Sequence, residues 1–375
     1  MTDRIARLRD KMQSIDLQGY LVSAPVEDTF HTHAANRRYL SGFTGSMGWL
    51  LITNEQAFVI VDFRYVEQAG NECPGFTVFK AVGGIGKWLP QIVGEAGLSA
   101  KRIGFAPADL TVDTFQTAKK AIDSMPEADR PKLLSAPDIV SGLRAIKEPG
   151  EIEKLQRAVD VGDAAFEAVS PRIEPGWTEK QVAWEIEKHA KESGAENLSF
   201  PTIVASGPHS AMPHAQPRDH AIEAGVPIVI DMGVIVDGYC SDLTRTIVIG
   251  EPDDKFHQIY DIVLTAQRTA EESVTTGMTG DEAHMLAHNV IAEAGYGDNF
   301  GHGLGHGVGM LVHEAPRIAK TAKDTLTDGM VATVEPGIYL TGWGGIRIED
   351  MVVFENGKAR VMSHAPKLMV NPLSS

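Results

Sequence analysis

Two aspartates, two glutamates and several histidines lie beside glycines in the second half of the sequence, at spacings that bring charged side chains together. Ile228 to Val236 reads as a strand, Asp237-Gly238 as a favoured two-residue hairpin turn, and Tyr239 to Thr246 as the return strand. Counting back from the turn pairs Val236 with Tyr239, Asp231 with Thr244 and Gly233 with Asp242. Asp231 and Asp242 then become diagonal neighbours on one face, roughly 7–8 Å apart at Cα, with Gly233 leaving room between them. Two carboxylates converging there repel unless a cation lies between them. Oxygen ligands of this kind suit hard or borderline divalent ions such as Mn²⁺.

From Gly301 to Gly309 every odd position is glycine, and His302 and His306 occupy even ones. Their i, i+4 spacing matches a helical zinc motif, but five glycines in that stretch make a helix costly. The period of two predicts an extended segment with one bare face and one His/Leu/His/Val face. The two histidines then lie about 13 Å apart, too far to bind one ion together. One of them is a candidate ligand and the other a candidate substrate contact. Val334-Glu335-Pro336-Gly337 ends a strand with an acid, and Gly344 to Asp350 sets Arg347 and Glu349 on one side, Ile346 and Ile348 on the other. An arginine beside a buried glutamate is expected to keep it ionised. Pro213-His214 and His313-Glu314 complete the candidates.

The elements that must carry these residues follow from the hydrophobic pattern. Ile152, Leu155, Val159, Gly162, Phe166 and Val169 recur at three- and four-residue steps, a helix opened by Lys147-Glu148-Pro149-Gly150 and broken at Pro175-Gly176. Thr178-Glu179-Lys180-Gln181 matches a capping box and starts a second helix running to about Gly194. Beyond Ser199 the chain turns to short strands and glycine- and proline-rich loops. In the first half, Leu50–Thr53 and Ala57–Asp62 predict a hairpin. Ile5, Leu8, Met12 and Ile15 predict an amphipathic N-terminal helix, and Lys119 to Pro137 reads as a polar surface connection.

The 375 residues suggest two domains, divided near residue 145 into 1–145 and 146–375. A net charge of −16 with no basic stripe argues against nucleic acid. Cys73 and Cys240 cannot build a disulfide framework and read as buried apolar residues. The charged N-terminus lacks the apolar core of a signal peptide, and the longest apolar run, Val226 to Val236, is interrupted and too short to span a bilayer. A cytoplasmic protein without membrane partners is expected.

The joint pattern resembles the pita-bread metallopeptidases, the group that includes methionine aminopeptidase, prolidase, aminopeptidase P and creatinase. Phe200 to Gly207 followed by Pro213-His214, the Asp231 hairpin, the Gly-His track, His313-Glu314, Glu335-Pro336-Gly337 and Gly345 to Asp350 are similar to the Xaa-Pro peptidase branch. Asn36 to Ser46 and Asp62-Phe63-Arg64-Tyr65 look like a creatinase-type N-terminal domain. The resemblance implies an α+β fold, with a pita-bread catalytic domain behind a smaller α/β domain.

It also implies a dinuclear centre of two divalent ions, Mn²⁺ first and Co²⁺, Zn²⁺ or Fe²⁺ as alternatives, on Asp231, Asp242, His306, Glu335 and Glu349. In that scheme a metal-bridging hydroxide attacks the carbonyl before proline. Glu335 shuttles the proton, His214 and His313 serve the developing charge, and His302 meets the substrate. Arg347 and Thr244 orient the carboxylates, and Tyr339 is a further candidate for the proline pocket. The activity implied is that of an Xaa-Pro aminopeptidase acting on peptides with a penultimate proline, with an Xaa-Pro dipeptidase as the alternative and a non-catalytic binding protein more remote. Relatives of this kind imply a homodimer.

Overall fold

The computed structural model describes residues 2–23, 34–367 and 369–371. Two compact units divide the chain, Met1–Arg144 and Ala145–Ser375.

The first unit is built on a six-stranded mixed sheet. Its order is Thr77–Lys80, Ala57–Val61, Trp49–Thr53, Gly19–Val22, Arg102–Phe105 and Lys132–Ser135. The predicted hairpin is present, with Leu50 opposite Val59 and Ile52 opposite Ala57. Ile5, Leu8 and Met12 are buried on the Thr2–Ser14 helix, whereas Ile15 lies past its end and is exposed. The polar stretch from Lys119 to Pro137 is more than a connection, because Lys132–Ser135 pairs in parallel with Arg102–Phe105 as an edge strand. Only one of its neighbours is a strand, so Leu133 and Leu134 are half-buried and the apolar signal is weak. In the Asn36–Ser46 motif the fully buried Arg37 donates to the carbonyls of Gly45 and Gly48, so this motif fixes a loop.

In the second unit, two helix pairs cover largely antiparallel sheets, with one parallel pair between Leu243–Ile249 and Met369–Asn371. Glu148 and Glu151 form a capping box at the start of Pro149–Val169, and Thr178 with Gln181 forms another at the start of Glu179–Glu192. Leu155, Val159, Gly162, Phe166 and Val169 face inward on the first helix, as their spacing requires. The second helix packs with it over a four-stranded sheet, ordered Met369–Asn371, Leu243–Ile249, Ile228–Met232 and Ile203–Ser206. The Asp254–Ser273 and Gly280–Glu293 helices share a second core with strands Val331–Val334, Gly344–Arg347 and Asp350–Glu355. This duplicated layout is the expected pita-bread arrangement within an α+β fold. Among the described residues no helix is long and apolar enough to cross a membrane. Cys73 and Cys240 are both buried.

Candidate metal centre

The hairpin has the predicted register, with Val236 opposite Tyr239 and Asp231 opposite Thr244. Asp237 and Gly238 both take positive φ, as the tight turn demands. Between these pairs the ladder breaks. Val234 N–H donates to the Ser241 hydroxyl instead of a main-chain carbonyl, and Asp242 sits in the gap. Gly233 is needed for a different reason from the one its spacing suggests. A Cβ there would lie 2.1 Å from the Ser241 carbonyl oxygen, so glycine permits the backbones to close rather than opening space between the acids.

Around this gap the other candidates converge. Asp242, His306 and Glu349 present ligand atoms all within 4.8 Å of one another. His306 Nε2 lies 3.4 Å from Glu335 Oε1 and 3.6 Å from Asp242 Oδ2. Its Nδ1 is 3.2 Å from the Gly307 carbonyl, which assigns the proton to Nδ1 and leaves Nε2 with a lone pair toward the acids. Thr244 donates to Glu349 at 2.6 Å, and Thr333 donates to Glu335 at 3.2 Å.

Arg347 is engaged differently from expectation. Its Nη2 is 2.7 Å from Asp231 Oδ2, and its Nε donates to Thr244. It therefore supports Asp231 rather than holding Glu349 ionised. Burial, then repulsion from Glu335 and Asp231, pushes Glu349 well above the carboxylate range. Asp242 is raised in the same way by burial and by Glu349, and burial with Asp231 nearby lifts Glu335 to about 7 despite Arg347. Burial and His313 lower His306 to about 4, so its imidazole is neutral at neutral pH. The other oxygen of Asp231, Oδ1, is buried without a hydrogen-bond partner. An orphan carboxylate oxygen, mutually repelling acids and a neutral imidazole in one place fit divalent cations.

The extended Gly-His track forms a strand only over Gly305–Gly307. His302 stands outside the ligand cluster. Its Nδ1 donates to the Gly303 carbonyl at 2.7 Å and its Nε2 lies 2.9 Å from the Tyr339 hydroxyl, which in turn accepts from Arg347. Apart from Thr244, buried behind the acids, and Tyr339, which backs His302, every predicted site residue lines one cavity of about 660 Å³. His214 and His313 are exposed on its wall, with the His313 ring 4.2 Å from that of His306. Phe200, Pro201 and Ile203 supply apolar surface.

Arg317 also lines the cavity, and no sequence signal singles it out. It is the cross-strand partner of His306 and so shares its face. Among the described residues its guanidinium makes no hydrogen bond or ion pair.

A pita-bread fold with carboxylates and one imidazole gathered in a cavity defines a metal-dependent hydrolase. Residues 153–356 match the model of metallopeptidase family M24, and residues 4–146 match the creatinase/prolidase N-terminal domain. The chain is 38% identical over 368 residues to an uncharacterized peptidase, YqhT, of Bacillus subtilis, covering 98% of this chain and 99% of that one. It superposes on an Xaa-Pro dipeptidase from Bacillus anthracis with a TM-score of 0.90 and 38% identity, over 99% of both chains. An X-Pro aminopeptidase from Thermotoga maritima gives a TM-score of 0.85 at 35% identity, over 97% of this chain and 100% of that one. The chain belongs to metallopeptidase family M24, in its Xaa-Pro peptidase branch, and is a metallopeptidase. Members of this family use a dinuclear divalent metal centre.

Proposed function

We propose that the protein is an Xaa-Pro dipeptidase, which hydrolyses the bond between an N-terminal residue and a C-terminal proline. The observation that carries this reading is Arg317, opposite His306 on the cavity face. A dipeptide with its scissile carbonyl at the metal ligands carries a carboxylate one residue further on. A guanidinium with no other partner matches that group in charge and in bidentate geometry. A longer peptide offers a neutral amide there instead. The similarity to the B. anthracis dipeptidase supports the same reading.

In this scheme Asp231, Asp242, His306, Glu335 and Glu349 hold two divalent cations, and Mn²⁺ suits a set dominated by carboxylates. Once bound, the cations supply Lewis acidity that brings a water's pKa toward neutrality. Glu335 accepts the water proton and returns it to the proline nitrogen as the C–N bond breaks, so the products are a free amino acid and proline. His214 and His313 donate hydrogen bonds to the carbonyl oxygen as it gains charge. The proline nitrogen has no N–H to recognise, so the ring itself must be gripped. His302, with both nitrogens engaged, offers ring surface for this beside Tyr339 and Phe200. Arg347 and Thr244 hold Asp231 and Glu349 in orientation.

The second reading is an Xaa-Pro aminopeptidase, favoured by similarity to the T. maritima enzyme and by the Ser41-Gly42-Phe43-Thr44-Gly45-Ser46 stretch. The homodimer implied by the resemblance and the cytoplasmic setting expected from the sequence belong to either reading. Product analysis by mass spectrometry, with Mn²⁺-loaded protein and a mixture of Xaa-Pro and Xaa-Pro-Yaa peptides, separates the two. Cleavage confined to dipeptides is expected, and release of the first residue from the longer peptides gives the aminopeptidase reading instead.

A further inference from the structure

We infer that Glu179 is a positioning residue for peptide cleavage, clamping both ends of the loop that carries His214. Glu179 is the first residue of the Glu179–Glu192 helix, is completely buried, and is not among the residues that line the cavity. Its Oε1 accepts from Ser206 N–H and from the Ser206 hydroxyl, both at 2.9 Å. Its Oε2 accepts from Arg218 N–H at 3.0 Å and from Arg218 Nε at 3.1 Å, while Arg218 Nη2 reaches Oε1 at 3.0 Å. His209 Nδ1 lies 3.1 Å from both oxygens. One carboxylate thus gathers donors from residues 206, 209 and 218, and the intervening chain has little regular structure of its own.

That chain reaches the cavity. Pro213, His214 and Gln216 line it, and the Pro213 carbonyl accepts from Arg347. Ser210 accepts from Gly345 N–H, and a Cβ at Gly345 would lie 2.2 Å from the Ser210 carbonyl oxygen, so loop and strand are in close register. The helix backbone adds to the clamp, with Lys180 N–H donating to the Arg218 carbonyl and Thr178 bridging Ala221. Burial alone would raise the Glu179 carboxyl, but the donors from Arg218 and Ser206 bring it down to about 2. The clamp is therefore charged throughout the range in which a neutral-pH hydrolase works. A carboxylate placed only to stabilise the helix start needs no partners twenty-seven to thirty-nine residues away.

The inference rests on the proposed substrate contact of His214, and the test keeps the two apart. Glu179→Gln keeps the side-chain shape but replaces an acceptor with a donor facing Arg218. That arginine's side chain is 46% exposed and can turn to solvent, so no buried charge is stranded. Deuterium uptake in peptides spanning 207–217 is expected to rise, with uptake in 228–249 and metal content unchanged. For Xaa-Pro dipeptides kcat/KM should fall about tenfold, mostly through kcat because His214 serves the carbonyl oxygen as it gains charge, the worth of one charge-assisted hydrogen bond. His214→Ala should cost clearly less in the Glu179→Gln background than in the wild type, because both changes remove the same contact. Arg218→Met, which leaves the Ser206 and His209 bonds intact, should give a smaller effect of the same kind and serves if Glu179→Gln does not fold. Unchanged uptake in 207–217, or additive losses for Glu179 and His214, overturns the inference. If the wild type cleaves no Xaa-Pro peptide, the functional reading fails, while the exchange comparison still decides the clamp.

Discussion

His306 and His302 occupy the same glycine track yet do different work, and hydrogen bonds decide which is which. His306 has its Nδ1 on a main-chain carbonyl and its Nε2 aimed among Asp242, Glu335 and Glu349, the arrangement of a ligand. His302 has both nitrogens engaged, one by Gly303 and one by Tyr339. His302→Ala should therefore leave metal content intact and raise KM by about tenfold, the loss of one well-packed substrate contact. Loss of a metal equivalent in that variant would exchange the roles of the two histidines. Asp242→Asn should do the opposite. It removes a charge from the centre of the acid cluster, and metal affinity should fall at least about 100-fold with the fold retained. Calorimetric titration with Mn²⁺ checks this, and near-normal affinity would remove Asp242 from the ligand set.

Glycines matter at the scale of elements because of what lies beside them. A Cβ at Gly305 would sit 2.0 Å from the Thr333 carbonyl oxygen, and one at Gly307 would sit 2.1 Å from that of Ala315, while Gly301 has nothing within 4 Å. The strand carrying His306 is thus pressed between two others, and main-chain atoms cannot swing aside. Gly305→Ala should cost about 1–3 kcal/mol in urea unfolding and displace His306, whereas Gly301→Ala should stay within about 0.5 kcal/mol. Equal effects at the two sites would contradict this packing.

A similar contrast, between local and distant neighbours, separates what residue order makes legible from what it hides. The Asp237-Gly238 turn sets the register of Asp231 and Thr244 locally, so counting residues suffices. The capping boxes at Glu148 and Thr178 are equally local. Arg317 meets His306 only through a strand pair whose register shifts at Gly307, and Glu179 gathers partners from a loop with no regular period. Neither pairing leaves a trace in hydrophobic spacing. The engagement of Arg347 with Asp231 rather than Glu349 is also a matter of distance across strands, which alternation within one strand cannot supply.

For the whole molecule, the acid cluster couples metal content to pH. The chain carries 50 acidic against 34 basic residues, and four of those acids lie together in the second unit. Without cations, burial and mutual repulsion raise Asp242 and Glu349 well above the carboxylate range, and Glu335 from its ordinary 4.5 to about 7. In that state the folded chain retains protons that the unfolded chain has already released, so these groups weaken the metal-free fold progressively as pH rises from 4.5 to about 7 and beyond. Cations take the place of those protons, whereas His306, lowered to about 4, has none to give up near neutrality. Loading with Mn²⁺ at pH 7 should therefore release protons, and apparent affinity should rise with pH. Stabilisation by a ligand grows with its affinity, so the gap in Tm between metal-loaded and chelator-treated protein should be wider near pH 8 than near pH 6. Because every proposed ligand lies beyond residue 145, hydrogen exchange should assign the lost protection to residues 228–249, 305–307 and 331–355. A gap that is constant or shrinks with rising pH would mean that the acids are ionised without metal, and that something other than a metal ion, such as the Arg347 guanidinium, already balances them.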